Sequence, residues 1–163
     1  MKRIPQQSVL RAVFARVYGR EFQATVMDDR VMMQKAVFLL REFGVSCGPY
    51  DFVWDYYGPF SPDLSDDMKM EAPDGIPLIE FDSKAERVMN SLAKVFSENK
   101  KYSPRYWAET VASFRYLMAY MYPSCTEEEI IDKLESIKTD HLKDHEENVR
   151  AMKSMKKLFS SKG

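Results

Sequence analysis

Several ingredients are scarce in this chain, and each shortage removes a class of explanation. Two cysteines, Cys47 and Cys125, in 163 residues are too few for a disulfide framework. Six glycines are scattered, and no GxGxxG, GxxxxGK[ST] or GxSxG pattern occurs, so neither a phosphate-cradling loop nor a nucleophile elbow is expected. No apolar run approaches the ~18 residues of a membrane-crossing helix. The start MKRIPQQS lacks the apolar core of a secretory signal. A cytoplasmic location without membrane association is the expectation. Net charge is lacking too: 24 Lys plus Arg against 25 Asp plus Glu leave −1, which provides no long-range attraction for nucleic acid or anionic lipid.

Apolar matter is plentiful. Hydrophobic residues make up 45% of the chain and aromatics 13%, which argues for a packed core rather than disorder. The length fits a single domain over 1–163, and no repeat or linker divides it. Eleven methionines, ten phenylalanines and nine tyrosines form an adaptable inventory that suits a core, a pliable binding surface or a homodimer face.

The apolar spacing predicts a mainly α fold, a helical bundle of about six to seven helices with a small two-stranded antiparallel element. Ser8 is placed to cap a first helix that weakens at Gly19. A second helix runs from Asp28 and Asp29 to Phe43, is stopped by Gly44, and is apolar all round from Ala36 to Leu40. The aromatic, partly alternating YDFVWDYY over Tyr50–Tyr57 reads as a strand, with Leu78–Phe81 the candidate partner. Ser61-Pro62-Asp63 opens a short helix that ends by Pro73. Ser83 with Glu86 and Thr126 with Glu129 form capping boxes, and Ser103-Pro104 opens another helix. A polar helix from about Asp140 to Phe159 closes the chain.

Three groups of residues suggest chemistry, each with a plainer explanation beside it. His141 and His145, one turn apart, can face a metal with Asp140, Asp144 and Glu146 nearby; but no HExxH pattern or nearby cysteine supplies a third ligand, and partial burial between Leu142 and Val149 accounts for His145 equally well. Cys47 and Cys125 have no histidine near them in sequence and read as isolated thiols. Asp63, Asp66, Asp67 and Glu71 suit a divalent cation or, more simply, the first turns of a short helix. No catalytic or metal site is expected, and no cofactor. Basic residues at both ends, Lys2, Arg3, Arg11, Arg16 and Arg20, then Lys153, Lys156, Lys157 and Lys162, match a phosphate-binding surface or an ordinary solvated face.

The most specific segment is Tyr56-Tyr57-Gly58-Pro59-Phe60-Ser61-Pro62-Asp63-Leu64. Two prolines and a glycine fix a tight turn between strand and helix, flanked by bulky aromatics that include Trp54. It reads either as a structural corner or as a preorganised aromatic anchor for a partner.

Two stretches carry a family resemblance. Val31-Met32-Met33-Gln34-Lys35-Ala36-Val37-Phe38-Leu39-Leu40 resembles the "lQKllyfl" helix of the Panacea domain and its YwgA-like relatives, and Tyr57-Gly58-Pro59-Phe60-Ser61-Pro62-Asp63-Leu64 resembles their "yGPfSpdL" motif, in the same order and at similar separation. The GPF turn, where Panacea members commonly have GPV, places the resemblance on the YwgA-like side, which has no assigned function. Panacea domains, also called SocA-like antitoxin domains, are small helical proteins of bacteria, archaea and phages, many of which neutralise toxins. The resemblance implies a non-enzymatic protein-interaction module whose partner is a protein, a toxin among the candidates. Its partner-binding positions would be Gln34, Lys35, Trp54, Tyr57, Gly58, Pro59, Phe60 and Ser61. Two alternatives stand beside it: a DNA-binding regulator with degenerate winged-helix character, its wing formed by Tyr50–Tyr57 and Leu78–Phe81, and a metal- or thiol-dependent enzyme.

Overall fold

The computed structural model describes residues 4–160; Lys2, Arg3 and Lys162 of the basic ends lie outside them. The elements run α1 (Gln6–Tyr18), α2 (Met27–Glu42), β1 (Val53–Asp55), β2 (Gly58–Phe60), α3 (Pro62–Met68), α4 (Ser83–Phe96), α5 (Pro104–Tyr116), a π-helical turn at Leu117–Met121, α6 (Glu127–Ile137) and α7 (His145–Ser160). The fold is mainly α with one two-stranded antiparallel sheet.

Two helices without a solvent face form its axis. Every residue of α2 from Val31 to Leu40 is buried, as is every residue of α5 from Trp107 to Phe114, and the two helices pack on each other. Helices α1, α4, α6 and α7 are amphipathic and surround this pair, each turning its apolar stripe inward. Phe14, Phe38, Leu39, Met89, Leu92, Phe114 and Leu134 fill the centre. Trp107, wholly buried between α4 and α5, satisfies its indole N–H on the Val95 carbonyl at 2.8 Å. The buried runs of α2 and α5 also include the polar Gln34, Lys35, Glu109 and Ser113.

Several predicted caps form. Ser61 Oγ accepts from Leu64 N at 3.2 Å, Ser103 Oγ from Tyr106 N at 3.2 Å, and Thr126 with Glu129 closes a reciprocal box at 2.9 and 3.2 Å. Gly19 and Gly44 take left-handed φ values of 78° and 81° at the ends of α1 and α2.

Other boundaries differ from the expectation. α1 begins at Gln6, because Pro5 at φ −59° presets the entry, and Ser8 lies inside the helix. α4 is capped by Asp82, whose Oδ1 accepts from Ala85 N at 2.8 Å; the carboxylate is the stronger acceptor, and Ser83 becomes the first helical residue. α7 begins at His145 rather than Asp140, because Asp144 Oδ1 caps Glu147 N at 3.0 Å and leaves 138–144 outside any helix.

The sheet also departs from the expected pairing. Only Val53–Asp55 of the aromatic segment is a strand, and it pairs with Gly58–Phe60 in the register Val53↔Phe60, Trp54↔Pro59, Asp55↔Gly58. A two-residue turn at Tyr56–Tyr57 closes a far shorter loop than pairing with Leu78–Phe81 would need. Leu78–Phe81 forms no strand, so the wing postulated for a winged helix is not assembled.

Replacing Asp82 by Ala is expected to lower stability in urea unfolding by about 1 kcal/mol, and Ser83→Ala by only a few tenths. The reverse order would return the cap to Ser83.

Candidate functional site

Everything at this site starts from the outer edge of β2. In a two-residue hairpin the pair that flanks the turn, Asp55↔Gly58, is hydrogen-bonded, and the next, Trp54↔Pro59, is not. Pro59 therefore directs its nitrogen and carbonyl away from β1, where a missing N–H leaves no gap in the ladder. On that side lies α2. Lys35 Nζ donates to the Pro59 carbonyl at 2.8 Å. Two residues on, Gln34 Nε2 donates to Ser61 O and Ser61 N donates to Gln34 Oε1, both at 2.9 Å. Gln34 and Lys35 thus act as a substitute third strand.

Gly58 sits over α5 at φ 89°, and a Cβ there would come within 2.5 Å of Ser113 Oγ. Both the conformation and the close approach require glycine. Ser113 Oγ is buried and has no hydrogen-bond partner among the described residues.

Beneath and beside the hairpin lies a buried ionic cluster. Glu109, on α5 and fully buried, receives Lys138 Nζ at 3.3 Å and His141 Nε2 at 2.9 Å. His141 Nδ1 contacts Asp140 Oδ1 at 2.7 Å, and Asp140 accepts from the Tyr56 hydroxyl at the hairpin tip. Burial pushes the Lys35 ammonium down from its ordinary 10.5 to about 7, opposed by Glu109 and reinforced by Lys138. Lys138 is also lowered, again chiefly by burial. The Tyr56 hydrogen bond, then that of His141, lowers Asp140 to about 2.

Aromatic rings surround the cluster. Lys138 Nζ lies 5.1 Å from the Trp54 ring centre and 5.4 Å from that of Tyr56. Arg105, paired with Asp28 at 3.1 Å, lies over Tyr57 and Tyr106 at 5.4 and 4.9 Å. The His141 ring packs 5.2 Å from Tyr106 and 5.8 Å from Tyr56. Tyr56 is 57% exposed and Val53 53%; Trp54, Tyr57, Phe60 and Tyr106 are half-buried.

The expected site residues are thus brought together but divided by depth. Gln34, Lys35, Gly58, Pro59 and Ser61 are buried, whereas Trp54, Tyr57 and Phe60 reach the surface. Sequence reasoning did not associate Glu109, Lys138 or Arg105 with this segment, nor Asp140 and His141. The available signal was Glu109 itself, a carboxylate between Trp107 and Val111 on the apolar side of a helix.

Other candidates are dispersed. His145 stands exposed at the start of α7 and pairs with Glu135 at 2.8 Å, while His141 lies in the loop before it, so the two do not share a helix face. Partial burial was expected of His145, which the structure leaves exposed because α7 begins there; the side chain of His141 is the covered one. Cys47 is buried and its thiol is pushed up to about 11 by desolvation, which makes it a poor nucleophile. Asp67 accepts from the Tyr50 hydroxyl at 2.7 Å and serves packing. Among the described residues no group of three or more His, Cys, Asp or Glu can hold a metal ion, and no helix is long and apolar enough to cross a membrane. On α1, Arg16 is paired with Glu86 at 2.5 Å and Arg11 donates to the Phe22 carbonyl at 3.3 Å; Arg20, just past the end of the helix, is paired with buried Asp29 at 2.6 Å.

No protein-family model, curated protein or solved structure matches this chain.

Two stability predictions follow from the cluster. Lys35 titrates near 7 in the fold and near 10.5 when unfolded, so between those values the unfolded chain binds the extra proton and stability rises with pH. Denaturation at pH 7 and 9.5 is expected to show a rise that is smaller by roughly 1–3 kcal/mol in Lys35→Met than in the natural chain; equal rises would mean that Lys35 is not the titrating group. Gly58→Ala is expected to destabilise by at least about 2 kcal/mol. Adding Ser113→Ala should recover part of that loss, because it removes the oxygen the new methyl meets, and a strictly additive double-mutant cycle would rule out the contact.

Proposed function

We propose that this chain is a non-enzymatic protein-interaction module of the Panacea type, which binds a partner protein through its aromatic hairpin and so neutralises or regulates it. The observation that carries the reading is the combination of an exposed aromatic tip with an immobilised base. Tyr56 is more than half exposed, while the strand beneath it is held by Gln34, Lys35 and Gly58. A rigid aromatic surface loses little conformational entropy on binding, and tyrosine, tryptophan and arginine are the residues that most often dominate interface energies. Tyr56, Tyr57, Trp54 and Phe60, with Arg105 beside them, supply that set.

In this reading the contact surface is Trp54, Tyr56, Tyr57 and Phe60. Gln34, Lys35, Gly58, Pro59 and Ser61 belong to the same site as the base that shapes it. The reading calls for no cofactor, and a toxin encoded beside this chain is the first partner to seek.

Affinity capture from the native host, with mass spectrometry of co-purifying material, tests it. The expected result is one abundant protein, depleted at least about tenfold with Tyr57→Ala or Phe60→Ala, each variant shown to be folded by circular dichroism. Recovery of nucleic acid alone, of nothing, or of the same partner with both variants would overturn the proposal.

A further inference from the structure

Between α3 and α4 the chain crosses the surface without regular structure, yet it alternates as a strand does. From Gly75 to Asp82 residues are in turn half-buried and exposed: Pro77, Ile79 and Phe81 turn inward, and Ile76, Leu78 and Glu80 outward, with Leu78 entirely in solvent. A period of two is the mark of an extended segment that lays one face on the body of the protein. Among the described residues, the backbone carbonyls of Ile76 to Phe81 and the amides of Ile76 and Leu78 to Phe81 take no hydrogen bond within the chain, Pro77 having no N–H to offer. Though not a strand, the segment presents unmet main-chain groups of the kind that a strand edge offers.

A cleft of about 310 Å³ opens beside it, walled by Ile79–Asp82 on one side and Val45–Cys47 on the other, with Val13, Leu40 and Met89 among its lining. Its lining is mixed: Val13, Leu40, Val45 and Met89 suit one aliphatic side chain, while Glu80, Asp82 and Lys84 are polar. Charge then selects what can enter. Residues 71–82 carry four exposed carboxylates, Glu71, Asp74, Glu80 and Asp82, and no lysine or arginine; Lys84 lies beyond them at the rim, by Gly44.

We propose that the 76–82 edge is a second docking surface, which takes an extended, cationic segment of a partner protein by strand addition. The incoming strand pairs with the free amides and carbonyls of Ile76, Leu78 and Glu80, the alternate residues of one edge, which Pro77 without an N–H does not interrupt. It places an apolar side chain in the cleft and sets lysines or arginines against Glu80 and the neighbouring carboxylates. Main-chain pairing provides affinity, while the cleft and the charges provide selectivity. None of these residues belongs to the aromatic hairpin, so this surface stands or falls independently of that one.

The test uses the full chain, ¹⁵N-labelled, titrated with acetyl-Lys-Val-Lys-Leu-Lys-Val-Lys-amide. Saturable shifts confined to amides of 76–82 and the cleft lining are expected. Affinity should fall at least tenfold for the same peptide N-methylated at alternate backbone nitrogens, for its glutamate-for-lysine counterpart, and for the surface variant Glu80→Lys. The proposal is overturned if no shifts appear at peptide concentrations up to about 1 mM, if the N-methylated peptide binds equally well, or if the shifts map to 53–60. It is also overturned if the same amides shift with protein concentration alone, which would make a second copy of this chain the occupant.

Discussion

The outer edge of a three-residue strand must find partners, and side chains of α2 provide them. A helix cannot offer its backbone to a sheet, because its own N–H and C=O groups are spent internally. Gln34 solves this with an amide that presents one donor and one acceptor, as a peptide unit does, and Ser61 uses both. Lys35 adds a donor for Pro59. Ser61 then turns the chain into α3, since its hydroxyl, free of the ladder, caps Leu64 N. Two adjacent residues of one helix therefore fix the hairpin, the start of the next helix and the direction in which the aromatic tip points. The cooperation explains why a Gln-Lys pair in a helix and a Gly-Pro-Phe-Ser-Pro turn belong to one unit.

Placing charge under that hairpin is costly, and the energetics constrain why it is there. Lys138 and His141 meet at the buried Glu109 carboxylate, whose charge also reaches Lys35. Apolar residues of similar volume would give equal or greater stability, since desolvating several charges offsets most of their attraction. What apolar packing would not give is orientation. Glu109 on α5 fixes Lys138 and His141 from the segment between α6 and α7, and Asp140 from that segment reaches Tyr56 on the hairpin. Three parts of the chain are aligned by hydrogen bonds and ion pairs, which is a reason to keep them where surface geometry matters.

Legibility in the sequence followed the range of the interaction. Local devices were readable: the Thr126–Glu129 box, the serine caps before proline, the glycine stops of α1 and α2, and the apolar run of α2. The strand in Tyr50–Tyr57 was readable from its alternation, but its partner was not, because Gly58-Pro59 looks like punctuation after a strand. The structure uses it as the return strand, a role open to proline only because Pro59 faces away from β1. Where carboxylates compete with hydroxyls for a helix end, as Asp82 does with Ser83 and Asp144 with the preceding stretch, the boundary moved by one to five residues. The ionic cluster was hidden for another reason. Lys35, Glu109, Lys138 and His141 come from three distant segments, and nothing in local spacing predicts that they meet. Only the polarity of Glu109 within a buried stripe hinted that a cation had to approach.

A corner that served closure alone would turn its bulky residues inward, since burying an aromatic side chain stabilises by a few kcal/mol and exposing one gives that up. This hairpin does the reverse at its tip. Tyr56 stands outward with Val53, although the rings of Trp54, Tyr57 and Tyr106 beside it are partly covered. The polar groups that hold this arrangement, Gln34 and Lys35 below and Asp140 alongside, are spent on keeping the tip in place rather than on the core. Stability does not require such an investment. A surface that must meet another molecule without rearranging does, because every rotamer already fixed before contact is entropy the complex need not lose.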